Sequence, residues 1–298
     1  MNTTDFVFSA SSVKDYLQCG LKFKFERIDK VEKTSVSSHH RWFGTLVHNL
    51  IYMSLIEPTE DFKKTKLTGK VNSTYPLKIF ERVWNEKETD DKVIKAIRED
   101  SGKKPEGRFM RGKIISLGSS DEEITQKQLE KGWKAEAKKM VKNGISVVKD
   151  IHEILEIEKR IYWMLHKKRF VGYIDVLAKD ENGKYEFYDF KTAWDKPGKR
   201  LEDDIQFFSY SYAIKRRYNL DYYPKGHFVH LRSGDAIEYN VTRDIERSVI
   251  RKITGAFENM ELNIFFADYG GPLCPYCDFR HICYGEDSQV WKTASLGG

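Results

Sequence analysis

The chain has 298 residues, of which 40% are hydrophobic and 13% aromatic, enough to bury a sizeable core in one large domain or two smaller ones. Charged residues make up 32% and the net charge is +6, a mild basicity compatible with a polyanionic partner but shared by many soluble proteins. No run of about 18 or more apolar residues occurs, which excludes a membrane-spanning helix, and the start MNTTDFVFSASS lacks the basic and apolar stretches of a signal peptide. The expected location is therefore intracellular and cytoplasmic.

Taken in order, Ser9 to Phe25 predicts a helix capped by Ser11 or Ser12, with Val13, Tyr16, Leu17 and Leu21 at helical spacing and Cys19 within it or just after it. Lys33 to His40 is a polar linker. Trp42 to Ile56 predicts an apolar helix that carries His48. From Glu57 to about Gly144 the chain is rich in Lys and Glu, with loops around Pro58, Pro76 and Gly102 to Gly112. Helical patterns there cover Leu77–Arg98 and Asp121–Val141, and the region reads as a charged, mostly helical insertion.

A mixed sheet flanked by helices is expected to follow. Ile154 to Leu165 predicts a strand with Leu155, Ile157, Ile161 and Trp163 on one face. Phe170 to Lys191 predicts a hairpin, because Asn182-Gly183 supplies the positive φ angles of a tight turn. Side chains two apart share a face, so Val171, Tyr173, Asp175 and Leu177 form one row and Tyr185, Phe187, Asp189 and Lys191 another. Pro197 and Gly198 mark a loop before a helix over Asp203–Tyr218, with Ile205, Phe208 and Tyr212 as its stripe. Lys225–Arg232 and Ala236–Val241 pair around Ser233-Gly234-Asp235, and Thr242 caps a last long helix. The resulting division is 1–56, N-terminal helices; 57–145, insertion; 146–262, core; and 263–298, a cysteine-bearing tail.

Four groups of residues carry candidate chemistry. Each hairpin row contains one acid, and carboxylates among core-facing residues are costly unless paired or metal-bound. Asp175 and Asp189, with Lys191 beside them, could hold a hard cation such as Mg²⁺ or Mn²⁺ against a phosphodiester. On its own, D-x-K occurs by chance in many proteins and is more often a pair of strand-end acids in surface ion pairs. His48 on an apolar helix is more often a satisfied core residue than a ligand. Gln206 and Tyr210, four apart on one helix, share a side and suit a phosphate or a stacked base. Cys274-x₂-Cys277-x₅-Cys283, with Cys19 about 255 residues upstream, uses every cysteine in one possible ligand set for a [4Fe–4S] cluster or a zinc ion, which spacing does not separate. Such a site would clasp the two chain ends. Glu158 is a possible further acid, but Glu156 and Arg160 share its polar face, so it is expected in solvent.

The order Gly44-x₃-His48, Gly172-x₂-Asp175, Asp189-x-Lys191 and Gln206-x₃-Tyr210, bracketed by an early cysteine and a late C-x₂-C-x₅-C, resembles the RecB-like branch of the PD-(D/E)XK nucleases. The likeness is to iron–sulfur exonucleases of the CRISPR-associated Cas-four type and to AddB-type nuclease domains, over residues 9–56 and about 150–285. It implies an α/β, restriction-endonuclease-like mixed sheet core flanked by helices, with the helical insertion and a terminal iron–sulfur clasp. It further implies a metal-dependent deoxyribonuclease, usually an exonuclease on single strands, acting on DNA or DNA ends in repair or recombination, where a helicase partner is conceivable.

Residue by residue, the resemblance makes His48, Asp175 and Asp189 metal ligands with the Phe190 carbonyl, and Lys191 the catalytic lysine. Gln206 and Tyr210 support the substrate and the lysine, while Cys19, Cys274, Cys277 and Cys283 hold the cluster. Gly20 stands where many relatives have proline. The long insertion argues against a role in CRISPR adaptation. A catalytically silent nucleic-acid-binding scaffold of the same fold, or a structure-specific endonuclease, are the alternatives.

Overall fold

The computed structural model describes residues 6–32, 39–56, 67–85, 126–193, 204–271, 274 and 277–284. The elements run in the order β1 (Val7–Phe8), α1 (Ala10–Gln18), α2 (Gly20–Phe23), a π-helical turn (Lys24–Ile28), α3 (His39–Tyr52), α4 (Tyr75–Asn85), α5 (Gln126–Lys149), β2 (Glu153–Leu165), β3 (Lys168–Lys179) and β4 (Tyr185–Lys191). After these come α6 (Ile205–Arg217), β5 (Lys225–His230), β6 (Asp235–Tyr239), α7 (Arg243–Glu261) and α8 (Arg280–Tyr284). Of the expected linker over 33–40, residues 33–38 lie outside the described residues and His39 and His40 already open α3; Pro76, expected in a loop, stands in the first turn of α4, where its missing N–H costs no helix bond. The loops at Pro58, Gly102–Gly112 and Pro197–Gly198 and the helical patterns over 86–98 and 121–125 lie outside the described residues.

The six strands form one mixed sheet in the order β1-β3-β4-β5-β6, with β2 on β3. β4 and β5 are parallel, as are β1 and β3; the other pairings are antiparallel. Helices cover both faces. On one, Val13 and Tyr16 of α1, Phe207, Phe208 and Ile214 of α6 and Val249, Ile253 and Phe257 of α7 pack on Phe170, Ile174, Phe187 and Phe228. On the other, Val47, Leu50 and Ile51 of α3, Phe80 and Trp84 of α4 and Trp133, Met140 and Val141 of α5 pack on Val176, Tyr188, Phe190 and Val229. Coverage on both faces buries every residue from Phe187 to Phe190, the apolar Phe187, Tyr188 and Phe190 and the charged Asp189 alike.

Several local expectations are corrected. Ser9, not Ser11 or Ser12, caps α1; it accepts from the Ser12 N–H while Ser12 Oγ accepts from the Ser9 N–H, a reciprocal capping box. Cys19 ends α1 and caps α2. Gly144 is no boundary: it lies inside α5, where a side chain would collide with Ile51 of α3, so its bareness lets the two helices close. Thus α4 and α5, drawn from the stretch expected to be an insertion, share a core with α3 and the sheet. In the β3–β4 turn only Gly183 has a positive φ, 72°; Asp180 completes the turn by accepting from the Asn182 and Lys184 N–H groups. Thr242 caps α7 as expected.

The predicted strand rows change phase midway. Phe170 and Ile174 face the α6 side, Val176 and Ala178 the α3 side, and Leu177 the α6 side. β2 shows the matching irregularities: its register shifts between Ile154 and Glu156, and Glu158, across from Asp175, takes φ 46°. Leu155, Ile161 and Trp163 therefore face one way and Ile157 the other. Tyr173, expected in a core-facing row, is exposed, as is Glu158.

Close packing across β5 yields a first test. A Cβ at Gly226 would lie 2.6 Å from the Phe187 ring and 2.8 Å from the Phe207 ring. Gly226→Ala should lower the urea midpoint by the equivalent of about 1 to 3 kcal/mol with unchanged slope. An unchanged midpoint would contradict this packing.

Candidate active site

The site is built where β3 changes partners. β2 lines one edge of β3 along nearly its whole length, so β1 and β4 divide the other. β1 pairs at Arg169 and Phe170, and β4 at Val176 through Lys179. Asp175 stands in the interval between them. Beyond Tyr188, β4 leaves β3, and the freed Phe190 N–H donates instead to Asp175 Oδ2 at 2.6 Å.

α3 closes over this interval. A Cβ at Gly44 would come within 3.3 Å of Thr192 Oγ1, so the bare residue brings the helix close to the chain just after β4. One turn later His48 places Nδ1 3.5 Å from Asp175 Oδ1 and meets the Phe190 ring edge-on, centroids 5.9 Å apart. Another turn on, Tyr52 Oη donates to Asp175 Oδ1 at 2.9 Å and lies 3.5 Å from His48 Nδ1. Residues four apart share a helix face, so the position of Tyr52 relative to His48 was the signal that could have found it.

From the opposite side α6 supplies a second set. Its cap, Asp204, accepts from the Gln206 and Phe207 N–H groups and pairs with Lys14 of α1 at 2.7 Å. Gln206 then donates through Nε2 to Asp189 Oδ1 at 2.9 Å and to Tyr210 Oη at 3.2 Å, and accepts from Lys191 Nζ at 3.3 Å. Gly172 makes room: a Cβ there would sit 2.6 Å from Tyr210 Cε1. Lys191 Nζ also lies 2.6 Å from Asp189 Oδ2, an ion contact without hydrogen-bond geometry that leaves this buried oxygen with open capacity. His48, Asp175, Asp189, Phe190, Lys191, Gln206 and Tyr210 thus meet in one place. Lys14 and Asp204, which hold α6 in position, carried no motif.

Among the described residues, no three His, Cys, Asp or Glu side chains form a ready-made metal cage. The donor chemistry nonetheless fits a hard divalent cation: two carboxylates and an imidazole, with one carboxylate oxygen lacking a hydrogen bond.

The four cysteines also meet. Cys19, Cys274, Cys277 and Cys283 line one cavity, with Lys22, Phe279 and Tyr284 among its walls. Cys19 reaches it because Leu21 N–H donates to the Phe266 carbonyl and Tyr16 Oη to the Ile264 carbonyl, docking α1 and α2 on the chain after α7. Burial, then the neighbouring thiols, push the Cys283 thiol up to about 11, and burial raises Cys277 as well. Four thiols gathered in one cavity are a donor set that fits a thiophilic metal or cluster, which would bind them as thiolates with release of their protons.

The two aspartates titrate apart. Burial would raise both, but Asp175 is held below the ordinary range by His48, the Phe190 N–H and Lys191. Asp189 is pushed up to about 6 by burial, with Lys191 opposing and Asp175 adding to the rise. Burial would lower the pKa of His48, but Asp175 and Asp189 outweigh it and raise that pKa; Lys191 is likewise raised, chiefly by Asp189. For Asp189 the folded value exceeds the ordinary 3.8, so between about pH 4 and 6 the folded state keeps a proton that the unfolded chain has released. Its contribution to the stability of the metal-free protein therefore falls as pH rises through that window. Carbon-detected NMR of labelled aspartate should show one carboxyl titrating near pH 6 and another well below the ordinary range. Ordinary midpoints for both would contradict the site's electrostatics.

No curated protein matches the chain. Among solved structures, a chain from Eubacterium rectale, provisionally named an exonuclease, superposes with a TM-score of 0.45 at 10% identity, covering 91% of this chain and 87% of that one. The family model described as the PD-(D/E)XK nuclease superfamily matches residues 7–284, nearly the whole chain. This chain belongs to the PD-(D/E)XK nuclease superfamily.

Proposed function

We propose that this protein is a divalent-metal-dependent deoxyribonuclease of the RecB-like branch, acting as an exonuclease on single strands, with a [4Fe–4S] cluster joining the chain ends. The observation that carries the reading is the meeting of His48, Asp175, Asp189 and Lys191, from α3, β3 and β4, at the point where β4 leaves β3. His48, Asp175 and Asp189, with the Phe190 carbonyl, would hold Mg²⁺ or Mn²⁺. Bound there, such an ion supplies Lewis acidity and a water of lowered pKa.

The chain's own groups do the rest. Asp189 and Gln206 aim the Lys191 ammonium, and Asp189 keeps it charged by raising its pKa. Held as an ammonium in this way, Lys191 acts as a donor rather than as a base. It donates hydrogen bonds, orienting the attacking water and neutralising charge that gathers on the phosphoryl oxygens. Tyr52 and the Phe190 N–H fix the Asp175 carboxylate, and Gln206 fixes that of Asp189. Tyr210 steadies Gln206 by accepting from its amide N–H.

Digestion of end-labelled single- and double-stranded DNA with Mg²⁺ or Mn²⁺ tests the activity. Lys191→Ala should lower the cleavage rate by about a hundredfold or more, and circular single-stranded DNA should resist. Equal rates for wild type and variant would refute the assignment of Lys191, and cutting of circles would make the enzyme an endonuclease.

The cluster has its own test. Anaerobically purified protein should be brown and bleach on oxidation, and Cys283→Ala should reduce soluble yield more than activity per folded molecule. Colourless protein with stoichiometric zinc would replace the cluster by a zinc site.

A further inference from the structure

The outer face of the β2–β3 arm carries side chains that the proposed chemistry does not use. Beyond Asp175 the two strands continue as a long antiparallel ribbon, with cross-strand partners Arg160 and Tyr173, Tyr162 and Val171, and Met164 and Arg169. The opposite face of the ribbon, with Ile161, Trp163, Phe170 and Ile174, is core. On the outer face Tyr162 is 57% exposed, Tyr173 55% and Met164 54%, and Arg160 and Arg169 are exposed too. No acid stands among these six residues.

Their arrangement is specific. The Arg160 guanidinium lies 4.9 Å from the Tyr162 ring centroid and 5.8 Å from that of Tyr173, so one cation bridges two exposed aromatic rings. No carboxylate pairs with Arg160 among the described residues. The β3 row Arg169, Val171, Tyr173 runs directly into Asp175, about 13 Å from Arg169 to Tyr173 and about 7 Å more to the carboxylate-bearing residue at the usual strand rise. Asp175 turns to the same side, since it meets Tyr52 and His48 of α3, opposite the cluster that holds Phe170 and Ile174.

We propose that this face is a docking platform for a single-stranded polynucleotide, which it leads to Asp175. Unpaired bases stack on Tyr162 and Tyr173, and Arg160 adds a planar cation for a base or a phosphate. Exposed rings with interleaved arginine match a polyanion that has free π-faces, and the exposed Glu158, next along β2 beside Asp175, bounds the platform at its inner end. A duplex hides those faces, so the platform discriminates between strands by stacking rather than by base identity. The proposal rests on the nuclease reading and specifies the form of substrate that enters the same site.

Binding without turnover separates the two. Fluorescence anisotropy with labelled oligothymidylate and with a duplex of equal length, in EDTA, would compare wild type, Tyr162→Ala/Tyr173→Ala and Tyr162→Phe/Tyr173→Phe. The alanine pair should bind oligothymidylate about tenfold to a hundredfold more weakly and duplex nearly as wild type does, while the phenylalanine pair keeps wild-type affinity. Unchanged oligothymidylate binding by the alanine pair would overturn the platform and leave the nuclease reading standing. A change in sedimentation from dimer to monomer with unchanged oligothymidylate binding would overturn it too, making the face a contact between copies. Platform-dependent binding with no cleavage under any divalent ion would instead count against the nuclease reading alone.

Discussion

The hydrogen bond from the Phe190 N–H to Asp175 is the constraint on which the site depends. A strand that leaves its neighbour strands backbone donors, and a buried donor without a partner costs about as much as a lost hydrogen bond. Here β4 departs after four ladder pairs, and the carboxylate of the strand it leaves takes the donor. The same oxygen pair receives Tyr52, so an acid in an apolar setting is satisfied by groups that only this divergence brings near. Sheet topology and site chemistry are therefore one arrangement: β1 enters further along the same edge of β3, and the interval between β1 and β4 is the site.

The second constraint is charge. Two buried carboxylates in one pocket resist joint ionisation, and the surroundings divide the burden. Asp175 has backbone and imidazole partners and stays ionised, whereas Asp189 has Gln206 and an ammonium that meets it off the hydrogen-bond direction. That leaves Asp189 the more readily protonated of the two. Lys14, Asp204 and Gln206 form a relay from α1 to the lysine, so the N-terminal helix that carries Cys19 also helps to position the head of α6. The cysteine cavity and the acidic pocket are thus connected through one short helix.

Much of this was legible in the chain. Asn182-Gly183, the Thr242 cap and the apolar periods placed the β3–β4 hairpin and α7, and the motif order named seven residues that the structure brings near one another. What escaped was non-local. The phase change near Asp175 arises from irregularities in β2, a different strand, so a simple two-residue alternation put Tyr173 in the core when it is exposed. Gly144 looks like a break in one dimension and proves to be a helix contact in three. Tyr52 was within reach of the i to i+4 rule, but it became informative only once Asp175 stood beside it. The motif glycines 44 and 172 acquire a reason in the fold, since each marks where a helix comes down on the sheet region.

The central claim is that His48, Asp175 and Asp189 act as one cation-binding unit. Calorimetric titration of metal-free protein with Mn²⁺, repeated on Asp175→Ala and Asp189→Ala, tests it without reference to catalysis. The account predicts a saturable site in wild type that is lost or greatly weakened when either carboxylate is removed. Undiminished Mn²⁺ binding in both variants would show that the two acids do not share an ion, and would contradict it.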